Sequence, residues 1–76
     1  MVDWMIFAKR LKVARIIAGL SQVKAAEKAG IARITIAKAE SGMHMLRMDT
    51  VVLLANAYGV SIDWLCGLDG GKKNEC

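Results

Sequence analysis

Seven glycines and no proline divide this chain of 76 residues into pieces each about the length of one short helix. Gly19, Gly30, Gly42, Gly59, Gly67 and the pair Gly70 and Gly71 are the punctuation, and between them the apolar residues recur at helical spacing. Phe7, Leu11 and Ala14 mark one face of a first helix that Asp3 can cap and that fades before Gly19. Ser21 is a suitable N-cap for a second helix ending at Ala29, where Gly30 supplies the C-terminal stop. A third helix is expected over Arg33 to Glu40, with Ile36 and Ala39 turned inward. After a longer link, Val51, Leu54, Ala55 and Tyr58 define a fourth helix up to Gly59, and Ser61 caps a short fifth containing Ile62, Trp64 and Leu65. No capping box supports the second helix, because Lys24 stands where Glu or Gln would reach back.

Composition agrees with tightly packed helices. Hydrophobic residues make up 55% of the chain, yet there is one Phe, one Tyr and two Trp, so the apolar mass comes from Ala, Ile, Leu, Val and Met. A chain this short hides only about 60% of its extended surface on folding, enough for one small core and too little for a large-pocket enzyme. The expected organisation is a single domain over residues 1–68 with a flexible tail over 69–76. No apolar run approaches the roughly 18 to 20 residues that cross a bilayer, and Lys9, Arg10 and Lys12 interrupt the apolar start, so neither a span nor a signal peptide is expected and the chain is assigned to the cytoplasm.

The residue types of hydrolytic, metal and nucleotide sites are not assembled. His44 is the sole histidine, and Cys66 and Cys76 follow no C-x-x-C spacing. No Ser/His/Asp set or glycine-rich phosphate loop is present, so neither an enzyme nor a cofactor is expected. Charge is more informative. Residues 1–42 carry eight Lys and Arg against three acids, a balance of +5, while residues 43–76 carry three against four, a balance of −1. The first part therefore favours an anionic partner.

That part also holds two short helices, Ser21 to Ala29 and Arg33 to Glu40, joined by Gly30, Ile31 and Ala32. A turn this tight, with Ala25, Ala26, Ala29 and Ala39 allowing close approach, describes a helix-turn-helix, whose second helix can enter a DNA major groove about 12 Å wide.

The residues around this unit resemble the phage-repressor-like helix-turn-helix proteins related to the Cro and CI repressors, the Xre family. The resemblance runs from Arg10-Leu-Lys-x-x-Arg15 and Gly19-Leu-Ser-Gln22 through Ala26, Gly30-Ile-x-Arg-x-Thr-Ile36 and Glu40-Ser-Gly42 to Leu54-Ala-x-Ala-x-Gly-Val-Ser-Ile-Asp-Trp-Leu65. It implies an all-α fold, a compact bundle of five helices of the lambda-repressor type. It also implies a dimeric regulator of transcription, a repressor in the first instance, on a palindromic double-stranded operator. By the same resemblance Gln22, Arg33, Ile34, Thr35 and Lys38 face bases, with Gln22 also steadying the recognition helix and Lys38 closer to phosphate. Arg10, Ser21, Lys24, His44 and Arg47 meet phosphates, and Arg15 and Glu40 form a structural ion pair. Arg33 is the main candidate for specificity, because a guanidinium can bind O6 and N7 of guanine together.

Departures from the family bear on partners. Val13, Ile16 and Ile17 replace charged residues, and Ala32 and Ala37 replace hydroxyls. The link from Met43 to Met48 is apolar where the family often has basic residues. Met43, Met45, Leu46, Tyr58 and Trp64 are accordingly candidates for a dimer interface that would set two recognition helices about 34 Å apart. A second reading, from a different class, is a protein-interaction module such as the antitoxin of a toxin–antitoxin pair. Ile34 and Ala37 discriminate the two: burial against protein would deny Arg33 its bases, whereas exposure in the free chain favours DNA.

Overall fold

The structure, a computed structural model, describes residues 3–42 and 46–68. Met43, His44 and Met45 in the link, Cys76 and the expected tail over 69–76 lie outside the described residues. Five helices follow in order: α1 Trp4–Ile17, α2 Gln22–Ala29, α3 Arg33–Glu40, α4 Met48–Tyr58 and α5 Ile62–Leu65.

The caps sit where the side chains place them. Asp3 accepts from the N–H groups of Met5 and Ile6, Ser21 from that of Lys24, and Ser61 from that of Trp64. These bonds satisfy N–H groups that the first helical turn leaves without intrahelical partners. Ala32 cannot do the same for α3, which begins without a side-chain cap. Gly30 and Gly59 end α2 and α4 with φ of 75° and 71°, a conformation in which a Cβ is strained.

One core joins all five helices. Phe7, Leu11, Ile36, Val51, Leu54 and Leu65 are fully buried, and the small residues Ala25, Ala26, Ala29 and Ala39 are buried between them. α1 packs on α3 and α5, and α2 on α3 and α4, so the α2–α3 pair is held from two sides. Trp4 and Phe7 meet edge to face, their ring centroids 5.1 Å apart.

Two interface candidates prove to be core residues. Leu46 turns inward directly after the link, and Tyr58 continues the buried row of Val51, Leu54 and Ala55, so both are spent within the chain's own fold. Cys66 is a free thiol, also buried, and burial pushes its pKa up, which keeps it in the unreactive protonated form.

Candidate nucleic-acid interface

α3 presents its first turn outward because Ile36 and Ala39 are the residues it buries. Position 34 then falls on the opposite side and position 33 at its flank in the first turn, and Arg33 and Ile34 are exposed, Ile34 by 52%. Thr35 is half-buried and Lys38 exposed further along the helix. Ala37 is half-buried. Of the pair that discriminates the two readings of the sequence, Ile34 is open to solvent as the DNA reading requires, and Ala37 only partly so.

Arg33 does not hang free. Its Nη1 donates to Oε1 of Gln22 at 3.2 Å, and Nε2 of Gln22 donates to Oε1 of Glu40 at 3.2 Å. Glu40 in turn receives Nε of Arg15 at 2.7 Å on Oε2 and Nη2 of Arg15 at 3.1 Å on Oε1. The remaining Nη1 of Arg15 donates to the Leu20 carbonyl at 2.9 Å, in the turn before α2. The amide of Gln22 has one orientation that serves both neighbours, carbonyl to the guanidinium and N–H to the carboxylate. A continuous polar chain therefore runs from the exposed head of α3 through α2 to the end of α1.

The Arg15–Glu40 pair is the expected structural ion pair. Its side chains are only 11% and 5% exposed, and the contact is a two-point fork of the kind a guanidinium makes with a carboxylate. The hydrogen-bonded Glu40 carboxylate holds the Arg15 guanidinium above its ordinary pKa, against the opposing effect of burial. Spacing along the chain gives no hint that Gln22 bridges this pair to Arg33. The resemblance points only to a steadying role.

The residues expected at phosphates divide. Ser21 and Lys24 lie exposed at the start of α2, with the Ser21 hydroxyl engaged as the helix cap. Arg47 is exposed immediately before α4 and pairs with the equally exposed Asp49 at 3.3 Å, a solvated contact of little strength. His44 lies outside the described residues. Arg10 is engaged within the fold. Its Nη1 donates to the Trp64 carbonyl at 2.6 Å and its guanidinium lies 5.0 Å from the centre of the Trp64 ring, so it fastens α1 to α5. Trp64 remains half-buried beneath it. This pairing spans 54 positions of sequence, and no local pattern marks it.

No cluster of His, Cys, Asp and Glu suited to a metal ion occurs among the described residues, and none of the described helices is long and apolar enough to cross a membrane.

Comparison with known proteins agrees with this geometry. A helix-turn-helix family model matches residues 11–65. Over 72 residues the chain is 43% identical to the HTH-type transcriptional regulator ImmR of Bacillus subtilis, a match covering 93% of this chain and 57% of that protein. The chain thus spans little more than half the length of this relative. Among solved structures, the restriction-modification controller protein C.AhdI from Aeromonas hydrophila is similar with a TM-score of 0.77 and 28% identity, over 83% of this chain and 96% of that one. The hypothetical transcription factor NHTF from Neisseria shares the fold with a TM-score of 0.78 at 20% identity, over 87% of this chain and 82% of that one. With the exposed head of α3 and the Arg15–Glu40 fork in place, the chain belongs to the Xre, Cro and CI type of helix-turn-helix family, a family of DNA-binding regulators of transcription.

Proposed function

We propose that this chain represses transcription by occupying a palindromic double-stranded operator as a homodimer, with α3 in the major groove. The observation that carries the reading is the attachment of Arg33. A flexible guanidinium loses rotamer freedom when it binds a base, and Gln22 restrains part of that freedom beforehand. A bidentate contact to guanine is worth about 1 to 3 kcal/mol of discrimination. Ile34 beside it has only dispersion and burial to offer, which suits the methyl of thymine.

Ser21, Lys24, Lys38 and Arg47 provide the hydroxyl and cations for phosphate, fixing register without reading sequence. The relatives support the class of activity: one is a transcriptional regulator and another a controller protein of a restriction-modification system. The two-fold arrangement is argued from the way a symmetric site reads twice what one short helix reads once. Trp64, half-exposed on α5, is the described candidate that remains for the subunit contact.

The test is selection from a random double-stranded library across a salt series, beside Arg33→Ala. The expected result is a two-fold site whose preference collapses at one base position per half-site in the variant. Affinity should fall with salt at a log–log slope of about −0.9 per phosphate neutralised. Weak, sequence-blind binding that Arg33→Ala leaves unchanged would overturn the reading and favour the interaction module.

A further inference from the structure

α1 has a second face that the described residues leave exposed. Phe7, Leu11 and Ala14 point into the core; on the opposite side of the helix lie Met5, Lys9, Lys12, Val13 and Ile16, with Ile17 flanking them at the last turn, all exposed. At spacings of three and four residues these form adjoining rows over about 18 Å, the length of roughly three turns. Met5 is 73% exposed and Ile17 79%, so the apolar members are open to solvent rather than half-tucked at a margin. Aliphatic side chains gathered on one helix face of so small a domain mark a place where something docks.

We propose that this outer face of α1 is a docking surface for an amphipathic acidic helix of a partner protein. Charge selects the occupant. α1 contains no Asp or Glu, and its two exposed lysines stand among the apolar residues: Lys9 lies one turn from both Met5 and Val13, and Lys12 one turn from Ile16. Their aliphatic stems extend the apolar surface while their ammonium groups, solvated in the free chain, favour carboxylates on whatever covers them. A second copy brings the same face with the same charges, setting lysines against lysines with no acid on either helix to relieve them. A lipid surface calls for an unbroken apolar sector with cations at its edges, and here the cations interrupt the sector. An acidic helix with its own apolar row satisfies both features together.

The site is separate from the polar chain that restrains Arg33. That chain leaves α1 from Arg15, on the side turned toward α3, so filling the outer rows leaves it intact. The partner can therefore bind whether or not α3 is occupied.

The probe is a fluorescein-labelled synthetic helix of about four turns, with a leucine row flanked by glutamates, compared with the same peptide carrying lysines in place of the glutamates. Fluorescence anisotropy should show the acidic peptide binding at least about fivefold more tightly than the lysine peptide. The double variant Lys9→Glu, Lys12→Glu should reverse that order. Ile16→Ser with Ile17→Ser should weaken binding by about tenfold or more, because two exposed isoleucines lose their burial in the complex. Far-UV circular dichroism should show unchanged thermal unfolding in both variants, as all four positions are exposed. Equal affinity for the two peptides, or binding of neither, overturns the proposal. So does self-association in sedimentation that the isoleucine variant abolishes, which would make a second copy the occupant. Binding to mixed phosphatidylcholine and phosphatidylserine vesicles in place of the acidic peptide would make it a lipid surface.

Discussion

Tyr58 shows how much one atom can ask of a small core. Its hydroxyl is buried with no hydrogen-bond partner among the described residues, a situation that costs about 1 to 3 kcal/mol for a neutral group. Its phenol is pushed up to about 12 from the ordinary 10.0, first by burial and then by the nearby Glu40 carboxylate, with Arg15 opposing. The unfolded chain therefore ionises at lower pH than the folded one. Stability from this group is complete below pH 10 and is lost as pH rises toward 12, by up to roughly 3 kcal/mol. Tyr58→Phe should be at least as stable as the parent near neutral pH, by about 1 kcal/mol, and should lose less between about pH 8 and about pH 11. Urea midpoints at the two pH values check this, and equal losses in both proteins would refute it. The sequence marks Tyr58 as inward by its spacing from Val51, Leu54 and Ala55. That its oxygen comes within electrostatic reach of Arg15 and Glu40 depends on how α4 packs in the bundle, and helical periodicity carries no such information.

Among the elements, α3 is the one the local sequence supports least. It has eight residues, includes β-branched Ile34, Thr35 and Ile36, and begins at Ala32 with no side-chain cap. Ala32 already has the extended backbone of an N-cap, φ −73° and ψ 141°, so a hydroxyl placed there needs no rearrangement. Ala32→Ser should raise stability by about 1 kcal/mol, read as a shift of the thermal midpoint of roughly 4 to 8 °C. An unchanged midpoint would mean that the first-turn N–H groups are already satisfied. The boundaries of α1, α2 and α5 were legible because capping side chains and glycines lie at their ends, and that of α4 only at Gly59, since it begins after Arg47 with no side-chain cap. For α3 the legible signals were the Gly30 turn and the inward pair Ile36 and Ala39. That Arg33 and Ile34 face outward was legible from the family resemblance and not from these signals, since position 33 lies one turn before the buried Ile36. The contact of Arg10 with Trp64 was illegible for the complementary reason, since nothing within a helical turn of Arg10 foretells it.

At the scale of the whole molecule, the Arg15–Glu40 fork ties the end of α1 to the end of α3 and, through the Leu20 carbonyl, to the entry of α2. Arg15→Met leaves the Glu40 charge buried without its partner and should cost about 3 kcal/mol, lowering the thermal midpoint by more than about 10 °C. Replacing both partners, Arg15→Met with Glu40→Leu, should restore much of that stability, because apolar pairs often substitute for buried ion pairs at little cost. It should not restore specificity. Gln22 then has no carboxylate to hold its amide, and base preference at the Arg33 position should relax in a protein that melts normally. Thermal melts and library selection on the same pair of variants separate the two effects, and recovery of both together would show that Gln22 needs no anchor. The same connection constrains anyone who would retarget this domain by transplanting a foreign recognition helix. Residues 33–40 exchanged alone would meet Gln22 of this chain in place of whatever residue braces their first side chain in the donor, and a donor helix ending in anything but glutamate would orphan Arg15 as well. The portable unit of specificity is therefore the α3 segment together with positions 15 and 22, a discontinuous cassette contributed by three helices.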